Sequence, residues 1–125
     1  MTRREFEEFM SSPRRNCWVY GSDMNVYVRK AAHYCPAVSR ALRTFDVGSI
    51  SVHRPGTGVF TRWYPQLRAW ADEQGFQAVF IESVQNERFA DSLRKRGLYE
   101  HPEIGFYDLL REYNSKSLNH LDDLH

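Results

Sequence analysis

Cysteine is scarce in this chain of 125 residues, which has only Cys17 and Cys35. They lie in different segments with no Cys-x-x-Cys spacing. That excludes a disulfide framework and leaves two reduced, partly buried thiols as the expectation. Long apolar runs are absent as well, and none approaches the ~18–20 residues of a membrane span. The opening Met1-Thr2-Arg3-Arg4-Glu5-Phe6-Glu7-Glu8 has no apolar stretch behind its arginines. No secretory signal is read there, and a cytoplasmic location is the expectation. A strong net charge is missing, since 17 basic side chains face 16 acidic ones. The length suits one domain and falls well short of the ~250 residues of a TIM barrel.

The 42% hydrophobic and 14% aromatic content is enough to build a core and argues against disorder. The charge is unevenly spread. Residues 1–96 carry 15 basic and 10 acidic side chains, and residues 97–125 carry 2 and 6. Arginine dominates the basic set, and its planar fork suits phosphate contacts. A positive side of this kind attracts a phosphorylated ligand; ion pairs on a solvated surface explain it equally well.

Residues 3–10 read as a short amphipathic helix stopped by Ser11-Ser12-Pro13. Cys17–Tyr20 and Asn25–Arg29 read as a hairpin across Gly21-Ser22-Asp23. Pro36 interrupts residues 32–41, and Ala37–Leu42 reads as a helical turn. Thr44–His53 is a strand whose alternation shifts at Gly48-Ser49, as a bulge would make it. Phe60, Trp63, Leu67 and Trp70 form one stripe, predicting a helix over 59–74 with a kink or late start at Pro65. Ala78–Ile81 reads as a buried central strand. A helix over 87–96 ending at Gly97 and a strand over 105–110 complete the pattern. The fold class is mixed α+β around one sheet, with a parallel crossover over residues 50–81.

The most informative stretch is Ile50-Ser51-Val52-His53-Arg54-Pro55-Gly56-Thr57-Gly58-Val59-Phe60. A strand enters a Gly-x-Gly turn that opens a helix. Unpaired N–H groups and the helix dipole make such a place an anion site. No Gly-Lys-Ser/Thr follows, so it is not a Walker A loop, and no third glycine completes a dinucleotide fingerprint. A plain strand-to-helix turn is the alternative reading.

His53-Arg54-Pro55-Gly56-Thr57-Gly58, then Phe80–Asn86, then Arg94-Lys95-Arg96-Gly97-Leu98 follow one another in order. With them the chain resembles the GNAT superfamily, the Gcn5-related N-acetyltransferases, over residues 44–111. The resemblance implies a mostly antiparallel sheet with one splayed parallel strand pair and flanking helices, spanning residues 1–113 as a single domain. It implies acetyl-CoA or another acyl-CoA as co-substrate, with direct transfer to an amine and no metal. The pantetheine arm would pair with the backbone of Val52, His53 and Arg54. N–H groups from Gly56, Thr57, Gly58, Val59 and Phe60 would hold the pyrophosphate. Asn86 would contact the pantetheine arm or the start of the following helix.

Two departures from the family pattern stand out. His53 occupies the Arg/Gln position, with Arg54 next to it able to serve instead. Leu93 occupies the position of the usual tyrosine acid. Tyr99 and Tyr107 are the substitutes, and Glu82 and Asp46 are the candidate bases. The short chain before the signature points to an open acceptor side, suited to a macromolecular amine, a partner-completed pocket or a homodimer. A second reading is an inactive binding module of the same fold for a protein or nucleic acid.

Of the histidines, His33, His53 and His101 are far apart in sequence with no carboxylate at ligand spacing, so no metal is expected. His120, Asp122, Asp123 and His125 cluster in a polar tail, residues 114–125. Trp18, Tyr20 and Tyr27 are expected to cover the sheet as core residues.

Overall fold

The computed structural model describes residues 1–110. The expected boundary at residue 113 and the tail 114–125 lie outside the described residues. The chain runs α1 (Arg3–Ser11), β1 (Asn16–Tyr20), β2 (Met24–Cys35), a 3-10 turn (Pro36–Val38) and β3 (Arg40–Val52). It continues with α2 (Val59–Glu73), β4 (Ala78–Glu82), α3 (Glu87–Lys95), β5 (Tyr99–Glu100) and β6 (Gly105–Leu109). The strands form one mixed six-stranded sheet in the order β1-β2-β3-β4-β6-β5. β3 and β4 are parallel, and every other neighbouring pair is antiparallel. α2 is the crossover that a parallel pair requires. The mixed α+β class is the one the sequence pattern gives.

Strand alternation sends Val26, Val28, Phe45, Val47, Val79, Ile81 and Phe106 to one face. Phe6 and Phe9 of α1, Trp63, Leu67 and Trp70 of α2, and Ala90 and Leu93 of α3 cover that face. Phe45 sits among the rings of Phe6, Phe76 and Phe9, at 5.3, 5.6 and 6.2 Å between centroids. Burying such a side chain is worth about 3–5 kcal/mol against alanine. On the opposite face, Cys35, Leu42, Ala78, Phe80, Tyr107 and Leu109 form a second apolar cluster from strands alone. Among the described residues no α-helix packs on this face.

The β3–β4 ladder is short. It pairs Thr44 with Ala78 through Val47 with Ile81 and then stops, while β3 continues to Val52 beside β2. Past Val47 and Ile81 the two strands no longer pair, and β4 ends one residue later at Glu82; this opening beside the continuing β3 is the fork. At the fork, Tyr27 faces Ser49 and Val28 faces Val47, leaving Gly48 unpaired as the expected bulge. A Cβ on Gly48 would lie 2.9 Å from the Tyr27 ring, so the bulge also seats that side chain.

Several expectations change. β2 runs on to Cys35 and β3 begins at Arg40, so the helical turn over Ala37–Leu42 shrinks to Pro36–Val38. Ser39, at φ 54°, turns the chain back sharply enough for Arg40 to pair with Cys35, and Leu42 is buried as a strand residue. α2 starts at Val59 despite Pro65, whose missing N–H falls on the exposed side of the helix. β5 was not anticipated, since two residues carry no readable period. Trp18 and Tyr20 are 48% and 71% exposed rather than core, because they project from an edge strand on the helix-free face.

Gly105 opens β6 directly opposite Glu82, and a Cβ there would meet the Ile81 carbonyl oxygen at 2.4 Å. Gly105→Ala is expected to lose more than ~2 kcal/mol of unfolding free energy in urea, with an unchanged slope. A loss below a few tenths of a kcal/mol would contradict this packing.

Candidate functional site

The helix-free face holds four ionisable side chains at its centre. Arg29 and Asp46 are direct cross-strand partners, and Asp46 in turn faces Phe80. His33 lies four residues beyond Arg29 and Glu82 two beyond Phe80, so alternation puts them on the same face. Asp46 is fully buried. Its Oδ1 accepts from Thr44 Oγ1 at 2.8 Å, and its Oδ2 lies 2.6 Å from His33 Nε2 and 3.5 Å from Arg29 Nη2. Arg29 Nη2 also donates to Glu82 Oε1. His33 Nε2 is 3.9 Å from the same oxygen. Burial works against the Arg29 charge, but the Glu82 and Asp46 carboxylates outweigh it and raise the guanidinium above its usual range. A buried carboxylate costs several kcal/mol unless it is paired in this way.

The sequence places no carboxylate at metal-ligand spacing from a histidine. The fold nevertheless brings donor atoms of His33, Asp46 and Glu82 within 4.8 Å of one another. Such a set could hold a cation, and the cation touching both carboxylates is the Arg29 guanidinium.

Aromatic rings flank the cluster on both sides. His33, Phe80, Tyr107 and Tyr99 follow one another at 4.7, 5.1 and 5.4 Å between centroids. Tyr99, a candidate acid, is thus separated from His33 by the rings of Phe80 and Tyr107 and stands half exposed on the edge strand. The Tyr107 hydroxyl accepts from the Ala37 N–H at 2.9 Å, and burial pushes the phenol up. On the other side Tyr27, Trp18 and Tyr20 form a chain of rings at 5.2 and 6.0 Å, with the Arg29 guanidinium 5.6 Å above Tyr27. Leu93, where the resemblance would place a tyrosine, packs in the helix-side core. Nearby Cys35 is buried, and burial first and Asp46 second push its thiol up to about 11.

A second feature lies where β3 runs into α2. Gly56 and Gly58 adopt φ 83° and 74°, and Gly58 is the N-cap of α2 with no side-chain cap. The N–H groups of Val59, Phe60 and Thr61 therefore stand at an uncapped helix start. Thr57 Oγ1 donates to the Arg54 carbonyl at 2.7 Å, and Arg62 Nη1 to the Thr57 carbonyl at 2.7 Å. An open cavity of about 340 Å³ lies here, lined by Ser22, Asp23, His53, Arg54, Thr57, Val59 and Arg62. Its two arginines outweigh one aspartate. His53 is engaged with the hairpin: its ring nitrogens reach Ser22 O and Asn25 Oδ1, and its N–H bonds the Asp23 carbonyl. Alternation then turns the Val52 N–H and C=O away from β2, into the fork. Phe60 packs on Phe89 and Tyr64 at 4.9 and 5.2 Å, so only its backbone faces the turn. Asn86 caps α3, accepting from the Phe89 N–H at 3.0 Å.

The structure thus unites Glu82 and Asp46, leaves Tyr99 apart, and adds Arg29 and His33. Sequence reasoning missed these two because it ended β2 at Arg29. The signal was present in the same parity of Arg29, His33 and Cys35 along an extended strand.

A double-mutant cycle of Arg29→Met and Asp46→Asn tests the cluster. Solvent still reaches Arg29, so the expected coupling in unfolding free energy is roughly 1–3 kcal/mol. A coupling near zero would contradict the pairing.

Comparison of the chain with family models, curated proteins and solved structures finds no match.

Proposed function

We propose that this protein is an acyl-CoA-dependent N-acyltransferase of GNAT-like fold that passes its acyl group directly to an amine. The observation that carries the reading is the fork between β3 and β4. The arm of β3 beyond Val47 ends in an uncapped Gly-x-Gly helix start, and its root lies beside Glu82 and Asp46. The free arm from Val47 to Val52 spans about 17 Å at ~3.3 Å per residue. That is room for the extended arm of CoA along the Val52 backbone, with the pyrophosphate at Gly56–Phe60 beside Arg54 and Arg62. A mostly antiparallel sheet with one parallel pair is compatible with the arrangement the resemblance implies.

In the proposed reaction the acceptor ammonium first loses a proton to a base. The neutral amine then attacks the thioester carbon, the C–N bond forms, and the C–S bond breaks to release CoA. The cluster of Arg29, His33, Asp46 and Glu82 lies at the root of the fork, where that proton would be taken. The acceptor reaches it across an open sheet face, which suits a macromolecular amine. Leu93 in the core favours a second reading, a binding module that keeps the ligand and has lost the chemistry.

Titration calorimetry with acetyl-CoA and CoA tests the reading. The native protein is expected to bind in the micromolar range. Gly56→Glu and Gly58→Glu, which add bulk and negative charge, are expected to weaken binding roughly tenfold or more while circular dichroism shows them folded. No binding to the folded native protein would overturn the proposal, and amine turnover separates the enzyme from the binding module.

A further inference from the structure

We infer that His33, through Nδ1, is the group that takes the acceptor's proton, with Asp46 as its positioning residue; this rests on the transferase reading above. Both carboxylates that the sequence nominates are occupied. Asp46 is wholly buried, and its two oxygens are held by Thr44, His33 and Arg29. Glu82 is bound through Oε1 to Arg29, and a proton on that carboxylate would leave the guanidinium only its longer contact with Asp46, at 3.5 Å. His33 is different. Its Nε2 faces Asp46 Oδ2 at 2.6 Å, a contact that makes Nε2 the protonated nitrogen and leaves the Nδ1 lone pair free. Nδ1 makes no hydrogen bond among the described residues, and no buried side-chain nitrogen or oxygen there lacks a partner. Nδ1 is therefore not sealed from solvent, consistent with the 22% exposure of the His33 side chain.

Charge balance favours the same assignment. The groups facing His33 are Arg29 on its own strand, Asp46 on β3 and Glu82 on β4. With a neutral imidazole the four side chains carry one net negative charge. Taking a proton brings them to zero, with the imidazolium between Asp46 at 2.6 Å and Glu82 at 3.9 Å. Phe80 backs the ring at 4.7 Å and fixes its plane. In the step itself one N–H bond of the ammonium breaks, and the proton passes to Nδ1. The freed lone pair attacks the thioester carbon, the C–S bond breaks, the nitrogen gives up a second proton as the amide forms, and the departing sulfur takes up one proton through solvent in exchange.

Two measurements test this. In the free protein, nitrogen NMR of the histidine rings above their titration range is expected to show His33 protonated at Nε2, and Asp46→Asn is expected to disturb that tautomer. Finding the proton on Nδ1 would overturn the inference whether or not acetyl-CoA binds. The second measurement is CoA release from acetyl-CoA with poly-lysine as the acceptor probe. His33→Gln is expected to lower kcat ~100-fold or more with acetyl-CoA affinity unchanged, in line with the range for general-base catalysis. It is also expected to remove the acidic limb of the pH profile, and added imidazole is expected to restore part of the rate in His33→Ala. Activity within about threefold of native, with the limb retained, would overturn the role of His33 and leave the transferase standing. Absence of turnover in the native protein would overturn both.

Discussion

A carboxylate without solvent at the middle of a small sheet is the constraint around which this face is arranged. Asp46 cannot stay charged there without a cation and hydrogen-bond donors. Arg29 supplies the first from the neighbouring strand, and Thr44 and His33 supply the second. Each of them is in place because β2 and β3 stay in register over a long hairpin and because β4 begins its own pairing at Thr44. Glu82 joins through the same guanidinium. The pairing stabilises the fold and also leaves one imidazole nitrogen facing water.

The two faces of the sheet divide the work. Among the described residues all three α-helices pack on one side, where Phe45, Trp63, Leu67 and Leu93 form a continuous apolar layer. The other side is free to carry charge and exposed rings. The fork needs both. The helix side holds β3 in place after β4 leaves it, through Ile50 and Val52 packed against the core. The open side is where the proposed acceptor would approach, while the uncapped start of α2 lies at the far end of the free strand arm. Gly48 links them: as the bulge it lets the strand bend, and as a residue without a side chain it admits the Tyr27 ring beside Arg29.

Much of this was legible in the sequence. The helix stripe from Phe60 to Trp70, the apolar run Ala78–Ile81, the Gly-x-Gly turn and the alternation shift at Gly48 all stand where periodicity places them, because each follows from local pattern. Pro36 misled the reading in the opposite direction. A proline suggests a broken ladder, yet here it opens a tight turn that Ser39 completes in a left-handed conformation, and the strands on either side grow longer. That lengthening carries His33 onto the face, so a local misreading hid a long-range contact. Burial of Trp18 and Tyr20 was inferred from their apolar character. Their exposure depends on which face the helices cover, which no short stretch of sequence specifies.

An acyl-CoA held along β3 is the central element of the proposed function. Amide NMR of the labelled protein, recorded with increasing acetyl-CoA, tests that directly. The account predicts shifts concentrated at Gly56–Thr61 and along Gly48–Val52, diminishing at Glu82, with the edge strand around Trp18 and Tyr20 unmoved. Shifts centred on Trp18 and Tyr20, or none at saturating ligand, would contradict it.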